Sequence, residues 1–125
     1  MNDSEAETNT LLGFIAAQKQ RSVRLKNKIL EARLAFGRRA SALGVEIASA
    51  KLLGKELARR YPASQQMDPA LRSNCRWLAE ALDDENHEAS DILEVLGVMS
   101  IFEVGSENPT VIRRKYSKAK GSQGS

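Results

Sequence analysis

Between residues 10 and 60 apolar side chains recur at alternating steps of four and three: Leu11, Ile15, Leu25, Ile29, Ala32, Phe36, Leu43, Ala50, Leu53 and Leu57. That spacing holds them on one stripe of a helix, in the manner of a coiled-coil seam. Gln18, Ser22, Arg39, Glu46 and Arg60 fall on the same line, so the seam is interrupted. Polar residues in such positions set register or partner choice at some cost in stability. Gly37, Gly44 and Gly54 lie in the same stretch, and each costs about 1 kcal/mol relative to Ala inside a helix. Tertiary packing therefore has to hold the segment together, by close helix approach or around a break near Gly37 to Gly44.

The run from Tyr61 to Pro69 contains two prolines, and Asp68 ahead of Pro69 has the form of an N-cap followed by the favoured first helical residue. One helix ends there and another begins. Downstream, Leu71, Cys75, Leu78, Leu82, Ala89, Ile92, Leu96 and Met99 repeat the four-three rhythm, with Glu85 as the polar exception. This second helix is predicted to reach about Val104 and to stop at Gly105, with Asn108-Pro109 reinforcing the stop.

A short connection between two long striped helices makes them antiparallel neighbours. The predicted fold is therefore all-α: a long coiled-coil-like helical hairpin over residues 10–105 that completes a bundle by pairing with itself or with another protein. Residues 1–9 are polar, acidic and without periodicity, which predicts a disordered leader. Residues 106–125 are predicted to be a disordered basic tail. Further apolar residues off the stripes, including Leu30, Leu34, Val45 and Ile47, widen the face beyond what a two-helix seam covers. The stretch from Ile92 to Phe102 is apolar nearly all round, and a hairpin would bring it beside the start of the first helix. Leu11, Leu12, Phe14 and Ile15 would then join Trp77, Leu93, Leu96, Met99, Ile101 and Phe102 in one protein interface.

Charge sharpens this picture. Residues 8–60 carry twelve Lys or Arg against Glu31, Glu46 and Glu56, whereas residues 61–107 carry only Arg72 and Arg76 against ten acids. A basic helix beside an acidic one selects the pairing, although each exposed ion pair adds only about 0–1 kcal/mol. Residues 108–125 hold Arg113, Arg114, Lys115, Lys118 and Lys120 and no acid, which suits a nuclear-targeting or phosphate-contacting arm. Ser117, following Arg114, Lys115 and Tyr116, resembles a basophilic phosphorylation site, and phosphate there would remove nearly two units of positive charge.

The candidate chemistry is sparse. With Cys75 as the single cysteine, no disulfide within the chain and no cysteine-based zinc site can form. Cys75 falls on the apolar stripe, where a thiol acts as a small hydrophobe. Asp84, His87, Glu88 and Asp91 share one helix face, but no second element supplies matching ligands, so an acidic solvated face is expected and not a metal site. No nucleophile–base spacing and no glycine-rich phosphate loop occurs, so no catalytic residue, cofactor or small-molecule substrate is expected. No apolar run approaches the length of a membrane span, and the acidic start is unlike a secretory signal. The expected place is intracellular, nuclear in a eukaryote and otherwise cytoplasmic.

These features predict a non-catalytic subunit of a multiprotein complex, with a nuclear, chromosome-associated assembly as the leading setting. The partner would be another helical protein or a second copy, and the basic tail would contact nucleic acid or direct nuclear entry. The alternative is a small helical nucleic-acid-binding or transcription-regulating protein of the antiactivator type.

Overall fold

A computed structural model of the chain describes residues 3–83 and 91–123, and among them there are helices and no strand. Among the described residues five α-helices follow one another: α1 (Asp3–Glu46), α2 (Ala50–Arg60), α3 (Pro69–Ala81), α4 (Ile92–Leu96) and α5 (Pro109–Gln123). Two 3-10 turns, Pro62–Gln66 and Ile101–Val104, lie between them. The expected all-helical class is present, but the two-helix hairpin is replaced by this five-helix arrangement.

α1 spans 44 residues without a proline, a rod about 66 Å long at the standard rise. Its first described residue is Asp3, so the segment expected as an irregular leader is the start of the helix. The first predicted helix is broken after Glu46, later than the Gly37 to Gly44 region. Ser49 starts α2 there, its hydroxyl accepting the Leu52 backbone N–H at 3.3 Å. α2 ends ahead of Pro62, with Arg59 and Arg60 both bonded to Glu56, and these two guanidinium groups hold the Glu56 carboxyl down at about 2. α3 opens as its sequence implies: the Asp68 carboxylate accepts the Leu71 N–H at 2.7 Å, and Pro69 occupies the first turn.

The second predicted helix is also divided. α3 closes at Ala81, and α4 is a short helix that Gly97 ends at φ 71°, a backbone conformation that glycine adopts without steric cost. Gly105, at φ 83°, closes the second 3-10 turn. Asn108 then caps α5: its side-chain oxygen accepts the Thr110 N–H at 2.9 Å, and buried Pro109 takes the first helical position.

The core lies where the C-terminal half of α1 meets α3, α4 and α5. Leu30 and Leu34 of α1 pack with Leu78 and Ala81 of α3, Ile92 and Val95 of α4, Ile101, and Ile112 and Tyr116 of α5. The stretch expected as a disordered tail thus contains a helix with Ile112 at 0% exposure. Its apolar residues 112, 116 and 119 are one helical face, and burying that face outweighs the cost of ordering the charged residues between them. α1 and α3 come into backbone contact at Gly37, where an added Cβ would lie 2.6 Å from the carbonyl carbon of Cys75 and 3.0 Å from the Ala79 Cβ.

Candidate docking surface

α1 carries two apolar faces. Leu30, Leu34 and Gly37 turn toward α3 and the core. The seam read from the sequence, with Ile15, Leu25, Ile29, Ala32 and Phe36, is offset by one residue and lies on a different side of the rod. At its inner end this seam is partly covered. Phe36 meets Tyr61 edge-on, with ring centroids 5.9 Å apart. Ile29, Ala32, Phe36, Tyr61, Ala63 and Met67 line one open apolar groove of about 370 Å³.

Beyond Asn27, toward the N-terminus, none of the described residues covers either face. Every residue from 5 to 26 is exposed, and Leu11, Leu12, Phe14, Ile15 and Leu25 show between 49% and 63% of their surface. A free helix of this composition, with Gly13 in its middle, is marginal in water because little offsets the cost of nucleating it. Packing against a partner would supply the missing stabilisation.

The other residues expected at the same interface lie elsewhere. Ile101 is buried in the core, and Trp77, Leu93, Leu96 and Phe102 pack against it, each partly buried. Of that group only Met99 is widely open, at 89%. The apolar end at Ile92 to Phe102 is consumed by α5, which occupies the place an external partner was expected to take. The arm residues 11–15 and the α4 region are therefore not brought together.

The basic residues divide in the same way. Arg113 lies over the Trp77 ring at 4.9 Å and donates to the Asn74 side-chain oxygen at 2.9 Å, while Asn74 donates to the Thr110 hydroxyl at 3.0 Å. Lys120 bonds to Asp91 at 3.2 Å and to the Tyr116 hydroxyl at 2.9 Å, and that hydroxyl donates to Asp91 at 2.8 Å. These two donors hold the Asp91 carboxyl below its ordinary range, Tyr116 contributing most. Arg114, Lys115, Ser117 and Lys118 face outward from α5. Ser117 therefore sits in the middle of a helix and not in an unfolded segment, which removes the local disorder that favoured it as a kinase target.

No family model, curated protein or solved structure matches the chain. Asp84, His87 and Glu88 lie outside the described residues, and among the described residues no group of acidic, His or Cys side chains is arranged to hold a metal. Cys75 is fully buried, and that burial pushes its thiol up to about 11, which leaves it protonated and unreactive near neutral pH. A cleft of about 790 Å³ between α1, α2 and α3 is edged by Lys51, Lys55, Arg72 and Arg76. Two of the four are committed: Arg72 donates to the carbonyls of Ser64 and Met67 at 3.2 and 2.7 Å, and Arg76 pairs with Glu80 at 2.8 Å. No helix of the described residues is long and apolar enough to cross a membrane.

The periodicity reading missed that α5 covers the apolar stretch from Ile92 to Phe102. The signal was present: Ile112, Tyr116 and Ala119 follow a helical spacing within the basic run.

Proposed function

We propose that this protein is a non-catalytic assembly subunit that binds another helical protein through the open side of α1. The observation that carries this reading is the exposure of Leu11, Leu12, Phe14, Ile15 and Leu25 on a rod whose root is anchored in a closed core. Helix-in-groove and coiled-coil recognition both use apolar anchors at such spacings. A small body that satisfies its own core while presenting a bare helix has the form of an adaptor, which supplies a docking element and a fixed attachment for it. In a eukaryotic cell the outward basic residues of α5 would suit a nuclear, chromosome-associated complex.

The test is affinity capture of the tagged chain from its own cells, with nuclease present, beside a variant carrying Leu11→Glu and Ile15→Glu. Stoichiometric partners held by the wild type and lost by the variant, with the Trp77 fluorescence melt unchanged, are the expected result. Partners retained by the variant would move the interface off the arm.

A second reading is direct contact with nucleic acid, and Arg114, Lys115 and Lys118 favour it because α5 carries no acid to neutralise them. It predicts duplex binding that weakens steeply with salt and is lost when these three become Gln, whereas the arm variant binds normally.

A further inference from the structure

The residues flanking the open seam specify the charge of what it binds. In a helix pair, the positions just after one seam residue and just before the next border the interface and meet the partner's corresponding positions. Along α1 these are Lys19, Lys26 and Arg33, which follow Gln18, Leu25 and Ala32, and Arg21 and Lys28, which precede Ser22 and Ile29. From Leu12 to Ala35 no flanking position holds an acid. Lys19, Arg21, Lys26 and Lys28 are exposed and enter none of the salt bridges among the described residues. At the tip the sign reverses, because Glu5 and Glu7 occupy the same flanking positions.

A second copy of the chain fits this pattern poorly. Parallel pairing sets each leading flank against the other chain's trailing flank, and antiparallel pairing sets like flank against like. In the registers that overlap the whole seam, parallel or antiparallel, residues 19–28 would meet basic side chains, and such like-charge contacts act against self-pairing. A phosphate backbone would satisfy the charges but leave Leu11, Ile15, Leu25 and Ile29 in water. A helix with an apolar stripe and acidic flanks satisfies both. It would also continue a contact already made, since Tyr61 and Met67 line the seam's inner groove up to Ile29.

We therefore infer that the open seam of α1 takes an amphipathic helix of a different protein, with Asp or Glu at the positions facing Lys19, Arg21, Lys26 and Lys28. The inference rests on the docking reading above. The partner helix is about four heptads long, matching the open side from Glu5 to Ile29 where Tyr61 and Met67 take over, and its flanks turn basic where they face Glu5 and Glu7.

The test uses the full chain and two synthetic four-heptad helices with identical Leu and Ile stripes, one with Glu and one with Lys at every flanking position. Binding is read by fluorescence anisotropy, with a DNA duplex as a third probe and light scattering of the chain alone. The Glu helix is expected to bind about tenfold more tightly than the Lys helix, and the chain alone to remain monomeric. In a variant combining Lys19→Glu, Arg21→Glu, Lys26→Glu and Lys28→Glu the preference should reverse; all four residues are exposed, so the core is untouched. Equal binding of the two helices, an unreversed preference, or a stable self-association abolished by Leu25→Glu would overturn the charge inference and leave α1 as a docking helix. Tighter binding of the duplex than of the Glu helix would overturn it in favour of nucleic acid. Failure of both helices to bind would remove the docking reading itself.

Discussion

Replacing Gly37 with Ala tests how closely α1 and α3 approach. Inside an ordinary helix the change would stabilise by about 1 kcal/mol, because Ala is the better helix former. Here the new methyl would sit 2.6 Å from the carbonyl carbon of Cys75, against ordinary contacts of 3.4–4 Å, and the obstacle is backbone that cannot rotate away. The two helices would have to part by about 1 Å, and a gap of that size forfeits a quarter to a half of each dispersion contact across it. Leu30 and Leu34 against Leu78 lie on that junction. Overpacking of this kind costs about 1–3 kcal/mol, so with the propensity gain subtracted the expected net loss is about 1 kcal/mol. For a domain of this size that lowers Tm by about 4 °C. Urea denaturation followed by Trp77 fluorescence reads the change directly, since Trp77 packs on the same core. The contrast is Gly13→Ala, where no atom lies within 4 Å of the added methyl: helical circular dichroism should rise while the Trp77 transition stays in place. A Gly37→Ala midpoint equal to or above that of the wild type would refute the close approach of α1 and α3.

Three further outcomes are expected. Ile112→Ala, at a site with no exposure, should cost about 2–5 kcal/mol, and removal of residues 109–125 should abolish the cooperative Trp77 transition; a truncated chain that still melts cooperatively would show that α5 is dispensable. Tyr116→Phe removes the main cause of the lowered Asp91 pKa. Asp91 in the folded chain titrates below its ordinary 3.8, so it contributes stability above that value, and the contribution is lost as pH falls through the lowered pKa; the variant should show a shallower acid decline by urea titration, and an unchanged decline would place the effect on other groups. Cys75 should react with a thiol reagent only as fast as the native state opens, so its labelling rate should climb with denaturant; prompt labelling of the native chain would contradict its burial.

Local grammar made much of the fold legible. Asp68-Pro69 announced α3, and the structure has the cap in that form. Asn108-Pro109 has the same composition but followed a glycine and preceded a run of charge, so it was read as the end of a helix when it is also the start of one. A cap dipeptide marks a boundary without saying which side is helical, and only Ile112, Tyr116 and Ala119 could have decided. α1 posed a different ambiguity. Its two apolar lines have similar spacing, and periodicity does not say which meets the body. The deciding feature is Gly37, which lets the line through Leu30 and Leu34 approach α3 and leaves the line through Ile15 and Leu25 facing out. Leu93, Leu96 and Phe102 pack inward for the same reason: a hairpin cannot bury them, but a chain with α5 folded back can.

The anchoring of α1 has a mechanical consequence. The exposed part of the rod extends about 36 Å from its root near Asn27, so it acts as a lever whose fulcrum is the tight crossing at Gly37 and Cys75. A tilt of about 10° at that fulcrum, about 51 Å along the rod from Asp3, would sweep the tip through about 9 Å, more than one helical turn. Small repacking in the body, from a side-chain change at Ala79 or Leu34 as much as from a ligand, is thereby converted into a large displacement of whatever the far end holds.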